Sequence, residues 1–169
     1  TVEAWKVAME RRHGPTALVL TRQNVPLIDR RETAPATGLQ RGGYILWQGA
    51  SSPDVLLIGT GSEVHIALQA GRLLLDKGVA ASVVSFPSWE LFDAQPREYR
   101  DSVLPPAIKA RVSIEAGSPL GWEHYVGTAG IAIGVPGFGT SAPGGVIYEK
   151  LGLTVQNVVD KALALVKGG

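Results

Sequence analysis

A short apolar run followed by a long amphipathic stretch is the feature that most constrains the fold of this chain. Residues 55–58 read Val-Leu-Leu-Ile between Asp54 and Gly59, which is typical of a strand buried on both faces. From residue 62 to residue 77 the apolar side chains recur with the helical period, and Gly78 follows as a stop signal. This stretch of the sequence therefore predicts a buried strand followed by an amphipathic helix.

The same alternation continues to the end of the chain. It predicts further strands at residues 43–48, 81–86, 110–114 and 131–133, and helices within residues 89–104, 145–151 and 154–166. Alternating strands and helices predict the α/β class: a three-layer open sheet of mainly parallel strands with helices on both faces and right-handed crossovers. Ligands of such sheets bind at the carboxyl ends of the strands, so the turns there are the first place to look for a site.

The first 38 residues follow a different pattern. Residues 1–13 predict an amphipathic helix, residues 16–20 predict one short buried strand, and a polar stretch with prolines follows as a linker. One strand and one helix are too little to form a core. We therefore predict that residues 1–38 are the trailing unit of a preceding domain and that residues 39–169 form a second domain. The helical start without an initiator Met is what a segment of a longer polypeptide would show.

Composition excludes several classes of function. The 16 Lys and Arg against 15 Asp and Glu give a net charge of +1, so nothing favours a nucleic-acid or anionic-membrane partner. The chain has no Cys and only three scattered His, which argues against a metal site and a thiol nucleophile. No apolar stretch is long enough for a membrane span, and the start lacks the layout of a signal peptide. We expect a cytoplasmic protein, or a plastid one in a photosynthetic eukaryote.

The turn after the first buried strand is a candidate anion site. It consists of Gly59, Thr60, Gly61 and Ser62, and the backbone amides at a helix start can hold an anion. The turn lacks the third Gly of a dinucleotide fingerprint and the Lys of a phosphate loop. Ser62 is also explained as a helix N-cap, which is the favoured interpretation.

Two further turns carry groups that are common in catalysis. Glu115 follows a predicted strand and has His124 nearby in sequence, so the two form a candidate acid–base pair. A structural role, with Glu115 accepting hydrogen bonds from turn amides or from Trp122 and His124, is favoured because no nucleophile is near. Ser141 lies outside any nucleophile-elbow motif and is interpreted, like Thr140, as a helix cap. No catalytic residue is assigned.

Arg22 is the candidate for binding a phosphate group. It follows the predicted strand at residues 16–20, beside Thr21, Gln23 and Asn24, which supply further hydrogen-bonding groups. A guanidinium suits bidentate contact with a phosphate, and a structural ion pair is an equally good explanation from the residues alone.

Several of these stretches together resemble one family. They are residues 21–26 (TRQNVP), 59–64 (GTGSEV), 85–88 (SFPS), 115–117 (EAG), 121–122 (GW) and 138–143 (FGTSAP). With these stretches in this order, the chain is similar to the closing part of transketolase over nearly its whole length.

The resemblance implies an activity and indicates which part of the enzyme this chain forms. Transketolases are homodimers that use thiamine diphosphate and a divalent metal, Mg²⁺ or Ca²⁺, to move a two-carbon ketol unit from a ketose phosphate to an aldose phosphate, in the pentose phosphate and Calvin pathways. The resemblance also implies that residues 1–38 end the middle, pyrimidine-binding domain and that Arg22 contacts the substrate phosphate. The family's metal motif, activating glutamate and active-site histidines have no counterpart here. The chain alone is therefore expected to be inactive and to bind no cofactor, with the remaining domains as its partners.

Two alternatives stay open at this point. The chain could be a regulatory α/β module that binds an anion or nucleotide at residues 59–62. It could also be the equivalent domain of another thiamine-diphosphate enzyme, such as 1-deoxyxylulose-5-phosphate synthase or a 2-oxoacid dehydrogenase.

Overall fold

The structure is a computed structural model that describes residues 1–168. Five strands form one sheet: β1 (Tyr44–Gln48), β2 (Val55–Gly59), β3 (Ala81–Ser85), β4 (Arg111–Ile114) and β5 (Ile131–Ile133). Seven α-helices surround it or precede it: α1 (Val2–Glu10), α2 (Val64–Asp76), α3 (Trp89–Asp93), α4 (Arg97–Val103), α5 (Glu123–Val126), α6 (Gly144–Lys150) and α7 (Val155–Gly168). Short 3₁₀ helices span Ala36–Arg41 and Gly61–Glu63.

The sheet is mainly parallel, as the sequence predicts. Its strand order is β1-β3-β2-β4-β5, and only β1 runs antiparallel to its neighbour. The central strand β2 pairs in parallel with β3 and β4, so that Leu57 lies opposite Val83 on one side and Val112 on the other. All five residues of β2 are buried. The α/β prediction is therefore confirmed.

Two separate apolar clusters cover the two faces of this sheet. On one face, Leu57 and Val83 pack with the buried sides of α2 and α7. On the other face, Leu56 and Ile58 pack with an aromatic group from the stretch between β3 and β5. Adjacent residues of β2 thus face opposite clusters, as the two-residue period of a strand requires. This arrangement has three layers, with the sheet between two layers of helices.

Most predicted elements are found within one or two residues of their expected bounds. Thr154 caps α7 as expected, because its hydroxyl accepts a hydrogen bond from the Asn157 amide at 3.3 Å. The predicted strand at residues 16–20 is wrong for this structure: those residues form no strand, and Val19 is 94% exposed. A strand needs a neighbour for its backbone groups, and residues 1–168 offer these five residues none.

The first helix has its predicted position but no buried residue. Val2, Trp5 and Met9 of α1 are each more than half exposed. The helix contacts the 3₁₀ helix at Ala36–Arg41, where Gln40 Nε2 donates to Glu3 Oε2 at 2.9 Å. Much of the apolar face of α1 is therefore exposed in the described part of the chain.

Candidate functional site

The loops after the parallel strands meet at one edge of the sheet. The turn after β2, the Glu115–Gly117 turn after β4 and the loop after β5 all lie there. A cavity of about 310 Å³ opens beside them. Its wall combines apolar side chains with backbone and hydroxyl groups from the β4 and β5 loops and from α6. The lining includes Ala116, Ser118, Val135, Thr140, Ile147 and Tyr148.

A buried carboxylate joins these loops. Glu63, at the end of the turn after β2, is only 3% exposed. Its Oε1 accepts hydrogen bonds from Ser62 Oγ and Tyr148 Oη, both at 2.6 Å. Its Oε2 accepts from the backbone amide of Ala116 at 2.8 Å. Three donors compensate the cost of burying the carboxylate, so Glu63 ties α2, the β4 loop and α6 together.

This network corrects the interpretation of the turn at residues 59–62. Ser62 is not a helix N-cap, because its hydroxyl donates to Glu63 and α2 has no side-chain cap. The Ser62 carbonyl oxygen is in contact with Nδ1 of His65, which is half-buried in the first turn of α2. The anion site at Gly59, Thr60, Gly61 and Ser62 stays a prediction, and the adjacent carboxylate would repel an anion bound there.

The structural interpretation of Glu115 agrees with its geometry. Glu115 Oε2 accepts a hydrogen bond from the indole nitrogen of Trp122 at 2.7 Å, and Trp122 is buried. His124 is exposed and packs edge-on against the Tyr125 ring instead, with the ring centres 4.8 Å apart. The structure thus places Glu115 with Trp122 and does not bring it together with His124 as an acid–base pair.

The stretch at residues 138–143 begins α6 differently from the prediction. Pro143 is the N-cap residue, and neither Thr140 nor Ser141 caps the helix. Phe138 is fully exposed in this loop. The cap prediction is wrong because Pro143 itself occupies the N-cap position, so both hydroxyls precede the place from which a side chain caps a helix.

Arg22 lies on the surface, next to the start of α6. Its side chain is exposed and takes part in no hydrogen bond or ion pair within residues 1–168. The next residue, Gln23, contacts the first residue of α6: a Cβ placed on Gly144 would lie 3.4 Å from Gln23 Cδ. The structural ion pair that competed with phosphate binding as an explanation of Arg22 is therefore absent from the described part of the chain.

Two polar features of the structure, one at the candidate site and one at the amino end of β4, have no signal in the local sequence. Tyr148 lies 85 residues from Glu63, and no local pattern signals their contact. Burial raises the pKa of the Tyr148 phenol, and the hydrogen bond to Glu63 raises it further. Arg111 Nε, Nη1 and Nη2 donate to four carbonyl oxygens, those of Leu104, Pro105, Ile108 and Tyr125, at 2.7–3.1 Å. Burial lowers the pKa of this guanidinium.

The described residues do not fit a metal ion or span a membrane. No group of three His, Asp or Glu side chains within residues 1–168 is arranged to hold a metal ion. None of the helices in that range has both the length and the apolar character that a membrane span requires.

Comparison with known families places this fold and its loops in one class. The model described as the transketolase-like TK C-terminal domain matches residues 42–154, and the chain belongs to this family. It is 49% identical over 171 residues to the chloroplastic transketolase of Craterostigma plantagineum, covering 98% of this chain and 32% of that protein. The chain spans about a quarter to a third of the length of the curated relatives that it matches.

Solved structures agree with this placement. Transketolase from Leishmania mexicana superposes with a TM-score of 0.88 at 39% identity, covering 98% of this chain and 23% of that one. Transketolase from Pichia stipitis, in a complex with sedoheptulose 7-phosphate, gives a TM-score of 0.87 at 34% identity, with 98% and 23% coverage. Nearly the whole chain, including residues 1–41, thus has counterparts in transketolase structures.

Proposed function

We propose that this chain forms the C-terminal part of a transketolase, which transfers a two-carbon ketol unit from a ketose phosphate to an aldose phosphate. Family membership and the coverage of a quarter to a third of its relatives support this proposal. Residues 1–38 then end the preceding domain, and residues 39–169 form the C-terminal domain. The exposed apolar face of α1 is what a helix cut off from its own core would show.

In this proposal the chain supplies Arg22 to the substrate-phosphate pocket. The proposed role rests on one observation: the side chain of Arg22 is exposed and has no acidic partner within residues 1–168. An Arg that has no internal partner is free to form two parallel hydrogen bonds to phosphate oxygens. One of the solved relatives is a complex with a sugar phosphate, which is the class of substrate proposed here.

The chemistry of ketol transfer belongs to other parts of the proposed enzyme. Thiamine diphosphate with a divalent metal, bound by the other domains, would supply the chemistry of ketol transfer. The side chains of residues 1–168 offer no cluster of metal ligands for this group. The role left to this chain is to bind and orient the phosphate end of the substrate and to support assembly with the other domains and a second subunit.

Arg22 provides the test, in a transketolase whose C-terminal quarter is this chain. Arg22→Ala should raise KM for the ketose phosphate by roughly ten- to a hundredfold, because a charge-assisted hydrogen bond is lost. Arg12→Ala is the matched control, since Arg12 is exposed on the same segment and carries the same charge. An unchanged KM in Arg22→Ala, or an equal rise in both variants, would contradict the proposed role.

The isolated chain gives a second test. We expect no ketol transfer and no heat of binding when it is titrated with thiamine diphosphate and Mg²⁺ by calorimetry. Stoichiometric binding would contradict the proposal, because the cofactor site would then lie within this chain. The same titration with inorganic phosphate and ATP tests the anion site at Gly59, Thr60, Gly61 and Ser62.

A further inference from the structure

Phe138 is the most exposed large apolar residue in the described part of the chain, with an exposed fraction of 103%. It lies within residues 136–143, an unbroken run of exposed residues between β5 and α6. Leu120, in the loop after β4, is 80% exposed, and Val146, in the first turn of α6, is 42% exposed. Exposed apolar side chains that share one part of a surface are typical of a place that another protein surface covers.

The loops after β4 and β5 lie side by side and form an uncharged surface. The Val135 amide donates to the Gly117 carbonyl oxygen at 2.7 Å, which joins the two loops. Residues 116–122 and 134–148, which make up this uncharged surface, contain no Asp, Glu, Lys or Arg, although 18% of the whole chain is charged. The cavity of about 310 Å³ opens within it, and no charged side chain lines that cavity. Charged residues are depleted at the core of protein interfaces, where aromatic residues are enriched.

The uncharged surface borders on the N-terminal segment. A Cβ placed on Gly144, in the first turn of α6, would lie 3.4 Å from Gln23 Cδ, so the two elements are neighbours. Residues 14–27 around Gln23 contain a single charged residue other than His. In the same range Val19 and Leu27 are each more than nine-tenths exposed. Exposed apolar groups are thus found on both sides of the contact between Gln23 and α6.

The linker keeps the N-terminal segment close to the uncharged surface. The Ala34 amide donates to the Leu46 carbonyl oxygen at 2.8 Å, which attaches the linker to β1. Arg72 of α2 pairs with Glu32 at 2.7 Å. Under the proposed function, residues 1–38 end the preceding domain. That domain therefore begins within a few residues of these attachments and beside the uncharged surface.

We infer that the preceding domain of the same polypeptide covers the uncharged surface, with Phe138 as the side chain that anchors the contact. This inference rests on the proposed function. The chain spans a quarter to a third of the length of its relatives, so a full-length parent has enough further chain to cover the surface. The covering surface is itself apolar and uncharged where it meets Phe138, because a charge buried there would find no partner in the uncharged surface.

Photo-crosslinking tests which surface covers Phe138. Phe138 is replaced by p-benzoylphenylalanine in a transketolase whose C-terminal quarter is this chain, and the irradiated product is separated by mass and mapped. We expect a product with the mass of one chain, linked to a peptide of the preceding domain. Leu73, which is 40% exposed beside Arg72 on α2, is the control position and should give no such link. A product with the mass of two chains, or no link from position 138, would overturn the inference.

Thermal denaturation gives a second test that needs no crosslinker. Phe138→Ala should leave the Tm of the isolated chain unchanged, because Phe138 is fully exposed there. In the full-length parent the same substitution should lower Tm by roughly 2–4 °C, because a buried apolar contact is lost. Leu73→Ala is the control and should act equally in both proteins. An unchanged Tm in the parent, or an equal loss in the isolated chain, would overturn the inference.

These tests are separate from the test of the proposed function. If Arg22→Ala leaves KM unchanged, the proposed role of Arg22 fails, and the crosslink from position 138 still shows whether the uncharged surface is covered. If KM rises in Arg22→Ala but position 138 gives no link, the proposed function stands and the inference about this surface fails.

Discussion

The sheet region, residues 43–168, and the N-terminal segment, residues 1–42, carry similar apolar signals but use them differently. In the sheet region, β2 is wholly buried, and Leu74 of α2 is 0% exposed. In the N-terminal segment, α1 buries no residue, and Leu27 is 99% exposed. An amphipathic pattern indicates that one face of a helix is suited to burial. Whether that face is buried depends on the other elements that are present to pack against it. The difference is explained if the partners of α1 belong to another domain, as the proposed function states.

The largest expected effect on stability comes from making the same Leu→Ala substitution in each of the two regions. Leu57→Ala should lower the free energy of unfolding by about 2–5 kcal/mol, because it leaves a cavity in a fully buried strand. Leu27→Ala removes the same atoms from an exposed site and should change the free energy of unfolding by less than about 0.5 kcal/mol. Urea denaturation of both variants measures the difference. Similar losses would show that the N-terminal segment is buried in solution and would end the comparison.

A smaller effect is expected for two arginines. Arg111→Lys should lower the free energy of unfolding by about 1–3 kcal/mol, since an ammonium group cannot replace a fork that donates to four carbonyl oxygens. Arg31→Lys should have no measurable effect, because the pair with Asp29 is exposed to solvent. Thermal denaturation of the two variants provides the measurement. If Arg111→Lys is as stable as the parent chain, the hydrogen bonds of the guanidinium contribute nothing to the free energy of unfolding.

The smallest effect concerns the Glu63 network and depends on pH. Tyr148→Phe should cost about 1–2 kcal/mol near neutral pH, because Glu63 loses one of its three donors. Since burial raises the pKa of Tyr148 in the folded state, its contribution is complete below the unfolded value of about 10 and is lost as pH rises through the raised pKa.

The measurement is urea denaturation at a series of pH values from 7 to 11. Above pH 10 the stability of the parent chain should fall more steeply than that of Tyr148→Phe. Gln40→Ala, which removes the exposed bond to Glu3, is the control from the N-terminal segment. Parallel pH profiles for the parent chain and Tyr148→Phe would contradict the raised pKa.

The parts of the fold that the sequence predicted are those with a local period. The strands β1 to β5 and the helices α2, α3, α4, α6 and α7 follow from apolar runs and amphipathic stretches, which depend on neighbouring residues only, whereas the short helix α5 has no such signal. The strand expected at residues 16–20 shows the same pattern but lacks a partner for its backbone. Its failure has a physical reason: a helix satisfies its own hydrogen bonds, whereas a strand does not.

The candidate site was predicted less completely. The resemblance singles out stretches such as residues 21–26 and 138–143, and the role of Arg22 remains a proposal. The prediction that Ser62 and Ser141 cap helices is wrong: the Ser62 hydroxyl is bound to a carboxylate in the folded chain, and Pro143 takes the N-cap position after Ser141. In the case of Ser62 that acceptor is the carboxylate of Glu63, whose other donors come from residues 116 and 148.

The sequence by itself determined the α/β class, the order of its elements and the family to which the chain belongs, since local periods and ordered motifs carry that information. Only the tertiary structure decided that Glu63 is buried among three donors, that Arg111 binds four carbonyl oxygens and that Gln23 lies against Gly144. These contacts join residues that are far apart in the chain or in different elements. Their geometry is set by how the sheet and helices pack together, which no local pattern records.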